Sequence, residues 1–128
     1  MKSPSDDDRD FRSRILEDRR PWGKFRSYPH QTAGAIKIIT VDPGGTLSLQ
    51  YHRHRAEFWI ALDEGLEITV GERTWRPAPN EEIYIPCGSS HRLRSVGSLP
   101  ARIMEIWLGD SDEDDIVRLD DAYGRSSC

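Results

Sequence analysis

Cysteine is nearly absent from this chain. Only Cys87 and Cys128 occur in 128 residues, far apart and in no CxxC pair. That fits a reducing cytosol better than a disulfide scaffold. No apolar run approaches the length of a membrane span. The N-terminus is charged from the start, so it offers no apolar core of a secretory signal. A surplus of basic charge is missing as well. The net charge is −4, whereas a general nucleic-acid binder is strongly basic. These absences leave a cytoplasmic, single-domain protein with neither a nucleic-acid nor a membrane partner. Its 36% hydrophobic content is enough for a core.

Residues 1–20 are dominated by Asp, Arg and Ser, as in Ser5-Asp6-Asp7-Asp8-Arg9-Asp10. Such a stretch buries little apolar surface and reads as a charged, flexible N-terminal arm. Phe11, Ile15 and Leu16 are spaced for a short helical turn docked on the domain, which runs over 21–128. From Gly34 to Leu108 short β-runs alternate with turn residues. The pattern predicts strands at 34–41, 46–54, 57–63, 66–70, 73–77, 82–85, 91–95 and 101–108. Eight short strands at this spacing indicate a sandwich, jelly roll or barrel. A helix is predicted from Asp112 to Asp121, with acids near its N-terminus and Arg118 later.

The run Thr46-Leu47-Ser48-Leu49-Gln50-Tyr51-His52-Arg53-His54 carries the most chemistry. Alternation on a strand puts Thr46, Ser48, Gln50, His52 and His54 on one face and Leu47, Leu49 and Tyr51 on the other. Glu57 follows closely, and His91 comes just after Pro86-Cys87-Gly88-Ser89-Ser90. Neutral imidazole is the commonest protein ligand for transition metals. Alternation alone also fits a surface strand with these side chains outward; the spacing to Glu57 and His91 favours an internal site. Leu47, Leu49 and Tyr51 would then point outward and need cover from a second subunit or the arm, which predicts a homodimer.

The spacing resembles the two metal-site motifs of the cupin superfamily. Gly44, five residues, Gln50, His52, Glu57 and Gly65 follow the first motif, with Gln50 in place of a His. A second register uses His52 and His54 but puts Phe58 where the acid should stand. Pro86, Gly88 and His91 follow the second motif, with Asn80 for its Gly and Ser95 for its Asn. Longer runs narrow the match. Arg20-Pro21-Trp22-Gly23, Leu47-Ser48-Leu49-Gln50, His54-Arg55-Ala56-Glu57, Ile83-Tyr84-Ile85-Pro86, Asp114-Asp115-Ile116-Val117-Arg118 and Asp121-Ala122-Tyr123-Gly124-Arg125 resemble the type II mannose-6-phosphate isomerase family. Phe58 departs from the family's usual His.

The resemblance implies an all-β fold, a cupin double-stranded β-helix closed as a jelly-roll barrel, with the charged arm and a short C-terminal extension. It implies a stand-alone domain of a kind that often follows a guanylyltransferase domain. It implies metal-dependent interconversion of mannose 6-phosphate and fructose 6-phosphate through an enediolate. The ligand set would be Gln50, His52, Glu57 and His91, with His54 as alternate. The ion would be one divalent metal among Zn, Mn, Fe, Co and Ni. Moving a proton between C1 and C2 needs a base near that ion. His54 is the candidate, Glu57 the alternate, and Arg55 stands between them. Arg92, Arg118, Arg125 and Lys37 are candidates for the phosphate, alongside Arg55. Two rival readings are a non-catalytic metal- or sugar-binding cupin and a cupin enzyme for another small substrate.

Overall fold

The computed structural model describes residues 9–10, 12–30, 34–109 and 112–124. Within them lie eleven strands: β1 (Leu16–Arg20), β2 (Gly23–Ser27), β3 (Ala35–Val41), β4 (Leu49–Tyr51), β5 (Ala56–Ala61), β6 (Leu66–Val70), β7 (Arg73–Trp75), β8 (Glu82–Ile85), β9 (His91–Ser95), β10 (Ala101–Leu108) and β11 (Val117–Asp120). They form two antiparallel sheets. One has the order β1-β2-β3-β10-β5-β8 and the other β11-β4-β9-β6-β7. From β3 onward the chain alternates between the sheets, apart from the β6–β7 hairpin.

The strands form because their apolar residues recur with period two. Along β3, Ala35, Lys37, Ile39 and Val41 are buried while the residues between them are half-exposed. Along β10, Ala101, Ile103, Glu105 and Trp107 are buried with the same period. Val41, Leu66, Ile68, Leu93, Ala101 and Ile103 have no solvent exposure and form the centre of the core.

The expected jelly-roll barrel does not close. β1 and β8 end one sheet, and β7 and β11 end the other. Successive strands β7 and β8 lie in different sheets, joined through Pro77 and Pro79. Proline has no N–H, so the ladder is not carried across that corner. The β1–β2 hairpin adds two strands beyond β3.

Three other expectations are revised. Residues 16–20, read as arm, form β1, which pairs with β2 in full register from Leu16↔Ser27 to Arg20↔Gly23. Its composition hid it, because backbone pairing rather than apolar burial orders it, and Leu16 is 68% exposed. Gly23 admits no side chain, since a Cβ there would lie 1.9 Å from the Thr40 carbonyl oxygen. Residues 9–10 and 12–13 are helical, as the predicted short turn has it, while Phe11 lies outside the described residues and Leu16 opens β1.

The predicted helix over 112–121 is instead a turn and a strand. The Asp112 side chain accepts from the Asp114 N–H at 3.0 Å, and the Asp112 carbonyl accepts from the Asp115 N–H at 3.1 Å. Such local bonds compete with helix formation. Val117 and Arg118 then pair with Tyr51 and Gln50, giving β4 a neighbour.

The long strand predicted at 46–54 is broken. Thr46 bridges Arg94, whereas Gln50 pairs with His91, so one extra residue lies on this side of the ladder. That is a β-bulge, which shifts the alternation. Leu47 is therefore buried in the core and not outward, while Gln50 still faces inward with His91.

Candidate metal centre

Register places the polar interior residues together at one end of the sandwich. On the inner face of the six-stranded sheet, Trp107 pairs with Glu57, and Glu105 pairs with both Trp59 and Lys37. Residues directly opposite share a face. From the other sheet come Gln50 and His91, with His52 just past the end of β4. His52, Glu57 and His91 are each no more than 3% exposed.

One ligand atom from each of these three residues lies within 4.8 Å of the others. His52 Nε2 is 3.0 Å from Glu57 Oε2, and His91 Nε2 is 3.8 Å from Glu57 Oε1. The imidazole centroids are 4.9 Å apart. His52 Nδ1 lies 2.6 Å from the Asp115 carbonyl oxygen, and His91 Nδ1 lies 3.0 Å from that of Ser89. A carbonyl can only accept, so in each neutral ring Nδ1–H donates. That leaves the Nε2 lone pair turned toward Glu57, the tautomer in which a histidine ligates a metal. Two imidazoles and a carboxylate suit a divalent cation, so the residues fit the ion that the sequence implies.

A guanidinium already touches this set. Arg55 Nε donates to Glu57 Oε2 at 2.7 Å, and Nη2 lies 3.2 Å from His52 Nε2. Arg55 is buried, stacks 3.4 Å from the centre of the Trp107 ring, and donates from Nη1 to the Asp112 carbonyl. Trp59 Nε1 donates to Glu57 Oε1 at 2.9 Å.

Burial works against the charge on Glu57. When the imidazoles also carry a proton on Nε2, the hydrogen bond from His52 and the charges of His91, His52 and Arg55 outweigh it and hold the carboxyl at about 2. Burial lowers the pKa of His91, opposed by the charge of Glu57. Glu105 behaves oppositely. Burial first, and then the charge of Glu57, push it up to about 8 against the pull of Lys37, Trp107 and Arg55.

The centre lines a cavity of about 310 Å³, within the range of small-ligand sites, about 300–1,000 Å³. Its wall also carries Arg20, Lys37, Ser48, Gln50, Glu105, Glu113 and Arg118.

The predicted site residues divide accordingly. Gln50, His52, Glu57, His91, Arg55, Lys37 and Arg118 line this cavity. His54 does not. β4 ends at Tyr51, the chain bends at 53–54, and His54 is exposed, its N–H donating to Asp115 Oδ2 at 2.9 Å. Strand alternation therefore does not extend to it, and the register built on His52 and His54 has no centre here. Arg92 is also elsewhere, with its guanidinium on the Leu47 carbonyl and on Asp120. Arg125 lies outside the described residues. Phe58 leaves on the opposite face from Glu57, between Ile106 and Tyr84.

Sequence reasoning missed Arg20, Glu105 and Asp115. The Asp115 carbonyl orients His52, and its carboxylate accepts the N–H groups of Arg53 and His54. It stands in one of the runs that carried the resemblance, so that run held its signal. Glu105 had a weaker signal, as a lone acid among the inward positions Ala101, Ile103 and Trp107 of its strand.

Residues 7–121 match the family described as Mannose-6-phosphate isomerase C-terminal. The chain belongs to that family. Curated relatives include the xanthan biosynthesis protein XanB of Xanthomonas campestris pv. campestris. It is 46% identical over 108 residues, which is 84% of this chain and 23% of that protein. The alginate biosynthesis protein AlgA of Pseudomonas putida is 45% identical over 113 residues, 88% of this chain and 23% of that protein. The chain thus spans under a quarter of the length of these relatives. Among solved structures, the capsular polysaccharide assembling protein CapF of Staphylococcus aureus superposes with a TM-score of 0.72 at 16% identity. The match covers 83% of this chain and 34% of that one, and shows a shared fold. Among the described residues, no helix is long and apolar enough to cross a membrane.

Proposed function

We propose that this domain is a metal-dependent sugar-phosphate isomerase, with mannose 6-phosphate and fructose 6-phosphate as the first pair to test. The observation that carries the reading is a buried set of two imidazoles and a carboxylate on the wall of a cavity that also presents guanidinium groups. His52, Glu57 and His91 hold the ion, and Gln50, across the ladder from His91, completes the set. A divalent ion there supplies Lewis-acid polarisation of a carbonyl. Its identity among Zn, Mn, Fe, Co and Ni is a matter for metal analysis.

The chain's own residues do the rest. The Asp115 and Ser89 carbonyls fix the two imidazoles. Arg118 and Arg20 face the cavity where a phosphate would enter, and Arg matches phosphate geometry by its fork of donors. Lys37 sits deeper, bonded to Glu113 and over the Phe25 and Trp107 rings, so it holds the wall more than it meets the phosphate. A homodimer would cover the outer face of β3, β10, β5 and β8, where Ile38, Phe58 and Ile106 are half-buried and Tyr84 is 57% exposed.

The test is metal analysis of the purified protein and a coupled isomerase assay with each of the five metals. Turnover with at least one metal is expected. Arg118→Ala should raise KM more than it lowers kcat, by about 10-fold or more, as expected when a charged hydrogen bond worth about 1.5–3 kcal/mol is lost. A second reading has its own observation. Arg55 already supplies positive charge to Glu57 and lies against His52, which favours a cupin that binds a sugar or metal without turnover. Ligand binding with no turnover under any metal would favour it.

A further inference from the structure

Two carboxyl groups are buried in the cavity wall, and the metal set uses one. Glu57 stands on β5 and Glu105 on the neighbouring β10, two residues apart in register, since Glu57 faces Trp107 and Glu105 faces Trp59. Each is anchored the same way. Trp59 Nε1 donates to Glu57 Oε1, and Trp107 Nε1 donates to Glu105 Oε1, each indole two residues along the same strand. The surroundings then diverge. Glu57 meets both imidazoles and Arg55. Glu105 lies opposite Lys37, but the ammonium bonds to Glu113 and lies 4.2 Å and 4.3 Å from the centres of the Phe25 and Trp107 rings.

An acid buried at a cost, facing a ligand cavity and spared from holding the ion, needs a reason. The next inward position along the same strand is the apolar Ile103, so the carboxyl is particular to the cavity end. The arrangement is that of two buried carboxyls with separate tasks, one within the ligand set and one outside it on the same cavity wall. Burial favours the protonated form of Glu105. His54, the base suggested by the sequence, lies outside the cavity lining.

We propose that Glu105 is the acid–base residue that carries the proton between C1 and C2 of the sugar phosphate. The proposal rests on the isomerase reading above. As the C2–H bond of the aldose breaks, the Glu105 carboxylate takes the proton. The bonding pair becomes the C1–C2 double bond, and the carbonyl pair moves onto the C1 oxygen. The Glu105 carboxyl then returns the proton to C1 as the ketose carbonyl forms at C2, while the hydroxyl hydrogen passes from the C2 oxygen to the C1 oxygen. No atom is gained or lost, and no oxidant or reductant takes part.

Glu105→Gln keeps the volume and the acceptor for Trp107 and removes the proton carrier. Parent and variant are loaded with the same metal and compared for metal content, KM, kcat and deuterium uptake into recovered sugar phosphate in heavy water. The expected result is equal metal content, KM within a few-fold, kcat reduced by about 100-fold or more, and loss of the deuterium uptake that the parent shows. Glu105→Asp, which keeps a carboxyl, should regain part of the rate. A Glu105→Gln rate close to the parent's would overturn the assignment, and so would a loss of metal in that variant. Should Glu105→Gln not fold, Glu105→Asp decides: a drop in kcat of about 10-fold at full metal content sustains the role, and an unchanged kcat removes it. A parent inactive on every phosphosugar and metal tried would sink the isomerase reading itself and Glu105 with it, a result distinct from an active parent with an active variant.

Discussion

The same strands build two unlike halves of one interior. At one end, β3, β5, β9 and β10 contribute Ile39, Val41, Ala61, Leu93, Ala101 and Ile103, and the packing is apolar. At the other end they contribute Lys37, Glu57, Trp59, His91, Glu105 and Trp107. The backbone period is identical in both halves, so the pleat does not make the difference. What differs is how burial is compensated. The apolar half is stabilised by area removed from water, and Leu93, for example, has no exposure. In the polar half each buried charge or imidazole has a partner: Glu57 with Trp59, Arg55 and His52, Lys37 with Glu113, Glu105 with Trp107. Such groups are expensive to bury and strongly destabilising when one partner is removed. A chain that keeps them in a sandwich whose other half shows that an apolar filling works is keeping a site.

Breaking the polar half should have the largest functional effect. His91→Ala removes an imidazole 3.8 Å from Glu57, and bound metal measured by elemental analysis should fall to background, with the proposed isomerase activity lost. Leu93, two residues along β9, provides the contrast. Leu93→Ala should cost about 2–5 kcal/mol in a denaturant titration, while metal content per folded molecule stays at the parent's level. If Leu93→Ala empties the centre as His91→Ala does, the two halves are not separable.

A smaller effect sharpens the electrostatic side of the contrast. Glu105 has a raised pKa, about 8 against the usual 4.5 of a glutamate. Between those values the unfolded chain has lost a proton that the folded chain keeps, so stability falls as pH rises through this window. Glu105→Gln removes that slope. In metal-stripped protein the Tm of the variant relative to the parent should therefore climb from pH 5 to pH 8. Glu57, held at about 2, contributes stability that is present above its usual value and lost as pH falls toward 2. Parallel melting curves for parent and variant across pH 5–8 would show that Glu105 is ionised in the folded protein at neutral pH.

The smallest effect is expected at His54. It is exposed on the bend after β4 and binds Asp115 only through its backbone. His54→Ala should change stability by no more than about 0.5 kcal/mol and leave metal content and kcat near the parent's. A metal-free or inactive His54→Ala would return His54 to the centre and remove the basis for looking to Glu105.

Much of this was legible in the chain itself. The β-runs from residue 34 to 108 were readable because alternation and turn residues are local signals, and β6, β8, β9 and β10 fall where that reading put them. His52, Glu57 and His91 were legible because ligand spacing is kept in sequence even when the ligands come from two sheets. β1 was not legible, since a charged strand ordered by its hairpin leaves no apolar pattern. Nor was β11, whose acids favour a helix start until β4 offers a ladder. The bulge between Thr46 and Gln50, which sends Leu47 inward and leaves His54 outside, depends on the register against β9. Alternation along one strand cannot reveal an extra residue relative to another. Glu105 shows the same limit. By sequence it is one acid among 22 Asp and Glu residues, and it acquires its character only from what is packed around it. The sequence by itself determined the β class, the family and the two-histidine, one-glutamate core of the centre, because those reside in composition and spacing. Only the tertiary structure decided that the sheets stay open, which cations reach the cavity, and which buried carboxyl joins the ligand set and which stays outside it, because burial and charge neighbours exist only once the strands have paired.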